Sequence, residues 1–205
     1  FLDYEAMAKQ AAVLGFDGVD LTVRPKGHVE PADATRDLPR AAKALRDHNL
    51  PPLMCTTGFA SADDPHFDST LDAIAESGIK HLRMGYFRPT PGTHPADQLK
   101  ENRRSLPSLV KGLEKRGLNG AFQNHAGARH IGSSLWEYWQ ILQDVDPSVL
   151  GIQFDIRHAV AEAGQSWPIT LRLLAPWIRC TDIKDFRWEQ APGKAAIDNV
   201  PYVLW

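Results

Sequence analysis

Three short stretches of this chain end an apolar run in residues that can bind a cation, move a proton or grip a hydroxyl-rich ligand. Gly151-Ile-Gln-Phe-Asp-Ile-Arg-His-Ala159 carries a carboxylate and an imidazole three residues apart. Upstream, Gly120-Ala-Phe-Gln-Asn-His-Ala126 offers an amide and an imidazole. Downstream, Ile178-Arg-Cys-Thr-Asp-Ile-Lys-Asp-Phe186 offers two carboxylates around an ammonium. Carboxylate and amide oxygens ligate hard cations, and imidazole exchanges protons near neutral pH. An apolar run that stops at such groups places chemistry at one end of a sheet.

The elements that must position these groups recur in one pattern. Helical periodicity over 4–14, 34–48, 67–77, 96–116 and 135–145 is followed each time by a strand-like run, at 18–23, 53–57, 81–85, from 120 and from 151. A short apolar segment, 169–177, precedes the run at 178. Gly15, Gly78 and Gly117 stand where a left-handed helix C-cap needs glycine. Six helix-to-strand units predict parallel strands joined by helical crossovers. A doubly wound nucleotide fold carries a glycine-rich loop after its first strand, whereas Arg24-Pro-Lys-Gly-His-Val29 lacks that spacing. The expected fold is therefore α/β, a TIM (β/α)8-type barrel, incomplete at about six β/α units with the first and last strands missing. It reads as a single domain over 1–205, truncated at both ends. Six strands leave two open edges, which a homo-oligomer would cover.

Strand alternation assigns the inward side chains. Gln153 and Asp155 share one face, as do Ala121, Gln123 and His125, then Cys180, Asp182 and Lys184, then Asp20, Thr22 and Arg24. Leu21, Phe122, Phe154 and Ile183 take the opposite phase, toward the helix layer. Barrel enzymes build their active sites from polar residues at the C-terminal strand ends. Each candidate has a plainer alternative. Gln123 and Asp182 either ligate a metal or hydrogen-bond across the barrel. His125 either transfers a proton or is a hydrogen-bonded core imidazole. Lys184 either meets substrate or pairs with Asp155 or Asp182. Arg24 and Arg83 either clamp a phosphate or carboxylate with bidentate geometry or neutralise buried carboxylates. His158 is read as lying in a loop over the barrel mouth, touching substrate or capping the loop. Trp167 and Trp188, in loops after strands, can stack on a sugar ring. Trp136 and Trp139 lie one helical turn apart and read as packing, and Asp185 as a loop anchor.

Composition excludes several classes. The 205 residues are 43% apolar, enough for one core, and a formal charge of −2 provides no basic field for nucleic acid. No run reaches the ~18 apolar residues of a membrane span. Cys55 and Cys180 sit inside apolar runs and read as free thiols. No basic-then-apolar leader opens the chain, so the expected compartment is cytoplasmic, or periplasmic if a leader preceded Phe1.

The segments GFDGVDLTVRP at 15–25, QNHAG at 123–127, FDIRHA at 154–159 and IKDF at 183–186, with Trp188 beyond, resemble the xylose-isomerase-like TIM-barrel superfamily, the sugar phosphate isomerases/epimerases. The resemblance spans nearly the whole chain. It implies a carbohydrate substrate, an enediol-type proton transfer and a divalent metal, Mn²⁺ or Mg²⁺, held by Glu, Asp, His and Glu. Position by position, Gln123 stands for the first Glu, Asp155 for the Asp and Asp182 for the His; the last Glu belongs to a further strand. On this reading His125 and Lys184 are catalytic, and Arg24, Arg83, His158 and Trp188 bind substrate. A catalytically inactive sugar-binding relative and a polyol dehydratase are the alternatives. An abasic-site endonuclease fits least, since it calls for extra metal-binding histidines and a basic groove.

Overall fold

Helix precedes strand throughout, in the expected order. The computed structural model describes residues 2–186 and the backbone of 188–189 and 202–203. Helix α1 (Tyr4–Val13) leads into β1 (Val19–Val23), α2 (Ala34–Asp47) into β2 (Pro52–Thr57), and α3 (Phe67–Glu76) into β3 (His81–Arg83). Then α4 (Pro95–Glu114) leads into β4 (Asn119–Gln123) and α5 (Leu135–Leu142) into β5 (Leu150–Asp155). Two helices, α6 (Ile156–Ala163) and α7 (Trp167–Leu174), precede β6 (Ile178–Asp182). The two-residue strands β7 (Trp188–Glu189) and β8 (Tyr202–Val203) pair antiparallel, apart from the main sheet.

The main sheet is parallel and runs β1-β2-β3-β4-β5-β6. A doubly wound sheet reverses its strand order at a switch point, whereas here every new strand adds to the same side, as in a barrel wall. The fold is thus a partial TIM barrel. Register aligns the strand ends: Gln123 pairs with Gln153, and Asp155 with Asp182.

Sequence pattern explains the layers. On α2, Leu38, Ala41, Ala42 and Leu45 are buried while Arg36, Arg40 and Lys43 face solvent, the apolar stripe of a surface helix. Helices α3 and α4 stop at Gly78 and Gly117, whose φ of 77° and 63° lie in the left-handed region that a Cβ disfavours. Leu21, Phe122 and Phe154 point into the helix layer and are buried, but Ile183, expected to join them, is exposed. Tyr138 of α5 stacks on Phe122 and donates from Oη to the Gln123 carbonyl at 3.1 Å, tying the helix to the end of β4.

The loop after β1 protects that strand's outer edge. Arg24 N–H donates to the Val29 carbonyl at 3.1 Å and Val29 N–H to Thr22 at 3.0 Å, so backbone groups at the strand end are paired locally. Cys55 is buried and Cys180 half-buried, both free, and burial pushes the Cys180 thiol up to about 11. Among the described residues, no helix is long and apolar enough to cross a membrane.

Candidate functional site

Parallel pairing of β3 through β6 brings their C-terminal ends side by side, and a single polar network fills the space between them. Its centre is the Gln123 amide. Nε2 donates to Asp155 Oδ2 at 2.9 Å and to Asp182 Oδ2, while Oε1 accepts from Arg83 Nη1 at 2.7 Å and from the Tyr86 hydroxyl. Gln153 Nε2 donates to Asp182 Oδ1 at 2.8 Å, and Lys184 Nζ to Asp155 Oδ2 at 2.5 Å. Asp155 is fully buried, so these donors replace the water it has lost.

The sequence expectation of a loop after Asp155 is corrected here. Asp155 is the N-cap of α6, with extended backbone (φ −88°, ψ 107°) and Oδ1 accepting from the His158 N–H at 3.1 Å. A carboxylate at that position satisfies an otherwise orphaned helix donor. His158 therefore stands in the first turn of a helix and is buried. Asn124 fixes the same junction: its Oδ1 accepts from Asp155 N–H at 2.8 Å and its Nδ2 donates to the Asp155 carbonyl at 3.0 Å.

Beside the carboxylates lies a row of imidazoles. The His125 ring centroid is 4.1 Å from that of His158 and 4.2 Å from that of His130, and the Tyr86 ring meets His125 and His130 edge-on at 5.4 and 4.9 Å. The His125 Nδ1 faces the Ala126 carbonyl at 3.0 Å, so Nδ1 bears the hydrogen and the neutral ring keeps its lone pair on Nε2. Burial lowers the affinity of His125 for a proton; it pushes His158 to about 4, against the pull of Asp155, and His130 to about 4 as well. Burial likewise raises Tyr86, keeping it a neutral donor, and raises Asp20, whose Oδ2 accepts from Thr56 at 2.7 Å.

The comparisons with known proteins agree with this architecture. The family model described as "Xylose isomerase-like TIM barrel" matches residues 8–202. The chain belongs to the xylose isomerase-like TIM-barrel family. Solved structures share the family fold at low identity. A probable 3-DHS dehydratase involved in petrobactin synthesis from Bacillus anthracis superposes with TM-score 0.72 at 14% identity, over 91% of this chain and 69% of that one. A 3-keto-D-glucoside 4-epimerase from E. coli gives 0.68 at 16%, over 89% and 74%. A D-tagatose 3-epimerase-like protein gives 0.65 at 19%, over 86% and 70%. No curated protein sequence matches the chain.

Within this xylose isomerase-like frame, Gln123, Asp155 and Asp182, the three residues expected as metal ligands, do come together. They converge as hydrogen-bond partners. Each of the four oxygens of Asp155 and Asp182 already accepts from an N–H, and Gln123 turns its N–H face, not its oxygen, toward both. A hard divalent cation needs oxygens converging on one point, and the described residues contain no group of three or more His, Cys, Asp or Glu able to hold a metal. The donor set as arranged does not fit the family's cation.

The other expected site residues separate. His125, His158 and Lys184 are at the centre. Arg83 stands behind Gln123, its Nη1 engaged by Gln123 and Tyr86, rather than open as a two-pronged clamp. Arg24 is exposed near enough to Tyr86 to favour its ionisation. The Trp188 side chain lies outside the described residues. Trp167 is half-buried against the core. Sequence reading missed Tyr86, Asn124, His130 and Arg157, whose Nη1 lies 3.0 Å from His158 Nδ1. An Asp followed by a helix-forming run was the available sign for α6. His130 comes from a loop with no periodic signal. A cavity of about 250 Å³ opens at the opposite ends of the strands, lined by Leu53, Met54, Leu82 and Ala121 together with His81, Asn119 and Arg179, and the His81 Nδ1 and Asn119 Oδ1 meet there at 2.6 Å.

Proposed function

We propose that the chain binds a small polyhydroxylated carbonyl compound, a sugar or sugar phosphate, at the C-terminal ends of β3–β6 and moves a proton on the carbon beside the carbonyl. This is the chemistry of an isomerase or epimerase. The observation that carries the reading is the placement of one neutral, half-buried imidazole, His125, beside a fully buried carboxylate, Asp155, that is paired with the partly exposed ammonium of Lys184.

Abstraction of such a proton develops negative charge on the carbonyl oxygen. A base must face the carbon and a fixed positive charge must face the oxygen. His125 Nε2 supplies the lone pair. The Lys184 side chain is 40% exposed, so its ammonium reaches the mouth while Asp155 anchors one of its hydrogens. Gln123 cannot take the proton, because an amide has no basic site at neutral pH. Returning the proton to the former carbonyl carbon, while the hydroxyl proton on the deprotonated carbon passes to the former carbonyl oxygen, isomerises the substrate; protonation of the same carbon from its other face, by a donor other than His125, epimerises it. A sugar substrate also accords with the 3-keto-D-glucoside 4-epimerase among the structural neighbours, and loss of water, the reaction of a dehydratase such as the Bacillus anthracis neighbour, can begin with the same proton.

The full use of both ends of the Gln123 amide favours a second reading, a sugar-binding relative without turnover. Incubation with ketoses and aldoses in D₂O separates the two. Exchange of deuterium into the carbon beside the carbonyl supports proton transfer, and His125→Asn should slow it by about 10²–10⁴ if His125 is the general base. Sugar binding with no exchange supports the second reading.

A further inference from the structure

The Gln123 amide has a defined orientation, and that orientation decides what the two carboxylates can hold. Arg83 has only N–H donors, so the amide atom facing it at 2.7 Å must be the oxygen, Oε1. The amide N–H groups are thereby turned onto Asp155 and Asp182. To offer Oε1 to a cation between the carboxylates, Gln123 must flip, which sets its NH₂ against the Arg83 guanidinium, donor against donor. Tyr86 adds a second donor to Oε1. A positive charge already lies on the carboxylates, since the Lys184 ammonium sits on Asp155 Oδ2.

We propose that Lys184 is the resident cation of the Asp155/Asp182 centre, and that Arg83, by fixing the Gln123 amide, keeps divalent metal out. The charges agree with this assignment: of the two carboxylates Asp155 meets the Lys184 ammonium directly, and both meet the Arg83 guanidinium through the Gln123 amide. A divalent ion added to that set brings two further positive charges within a few ångströms of Lys184 and Arg83. It also needs the N–H donors on Asp155 and Asp182 to leave. The proposal goes beyond the proton-transfer reading and does not rest on it, because it concerns what the carboxylates bind whether or not a sugar turns over.

The test reads binding and melting, not turnover. The protein, freed of metal with EDTA, is titrated with Mn²⁺ alone, following water-proton relaxation for bound ion and thermal unfolding for linkage. Wild type should show no bound Mn²⁺ at about 0.1 mM and a melting temperature that about 1 mM Mn²⁺ or EDTA moves by less than about 1 °C. Lys184→Met removes the resident charge and should gain Mn²⁺ affinity by about tenfold or more, with melting now raised by the ion. Adding Asp155→Asn should abolish that gain. Lys184→Arg keeps the charge and should stay insensitive to Mn²⁺. If Lys184→Met does not fold unaided, Mn²⁺ should restore a cooperative melt, since the ion then replaces the missing charge; failure to restore it overturns the assignment. Stoichiometric Mn²⁺ on wild type that is lost in Asp155→Asn also overturns it, as does a folded Lys184→Met that gains nothing. All these results stand whatever the D₂O exchange shows.

Discussion

Two charged networks of similar composition occupy opposite environments in this protein. On the outer face of α2, Asp37 pairs with Arg36 at 2.7 Å and Arg40 at 3.0 Å, and the two arginine side chains are 65% and 68% exposed. At the strand ends, Asp155 is fully buried, with Lys184, Gln123 and a helix N-terminus around it. In water, the arginines lose side-chain freedom to gain a screened attraction, and such pairs add little. In the barrel, each donor stands in for lost water, so removing one partner leaves a buried group unsatisfied. A hydrogen-bonded carboxylate therefore decorates the surface in one place and organises the interior in the other.

The sharpest challenge to that contrast is Asp155→Ala. It removes the α6 N-cap acceptor and leaves Lys184 and Gln123 without their shared carboxylate, and should cost about 3–5 kcal/mol in urea unfolding. A cost near zero would break the comparison. Asp155→Asn keeps the shape and an acceptor for the His158 N–H, and should cost less.

Arg83→Met comes next. It strips one of two donors from the Gln123 oxygen while Tyr86 remains, and should cost about 1–3 kcal/mol by the same measurement.

Titration sharpens the comparison further. Burial holds His158 and His130 at about 4 in the folded protein, below the ordinary value of about 6.5. Between about 6.5 and 4 the unfolded chain therefore binds more protons than the folded one, so stability is complete above that interval and is lost as pH falls through it. The melting temperature should decline across this window. His130→Phe keeps a ring against His125 and Tyr86 and should flatten the decline. Arg36 holds the Asp37 carboxyl below its usual range, so what this surface network contributes is fully present above about 4 and is lost only as pH falls below it. A melting curve flat from pH 7 to 4 would place the imidazoles in water, contrary to their packing.

The smallest effect belongs to α2. Asp37→Ala breaks both bridges and should move the melting temperature by no more than about 2 °C. A drop comparable to that of Asp155→Ala would show that exposure does not separate the two networks.

The period-two alternation in 120–123, 151–155 and 178–182 determined which side chains face inward, because a strand offers no other choice of face; past the strand end the alternation no longer holds, as the exposed Ile183 shows. The same alternation with interleaved helices determined the barrel wall, and the match over residues 8–202 agrees. Residue identity also determined that Gln123 cannot be a base. Tertiary structure alone decided the rest. Whether Gln123 shows its oxygen or its N–H groups to the carboxylates depends on Arg83, 40 residues earlier in the chain, and no local pattern carries that choice. Whether His158 lies in a loop or a helix depended on Asp155 finding its N–H. His130 joined the imidazole row only when its loop brought it against His125 and Tyr86. Strand phase is a local property of the backbone, whereas hydrogen-bond direction at a site is settled among groups that meet only after folding.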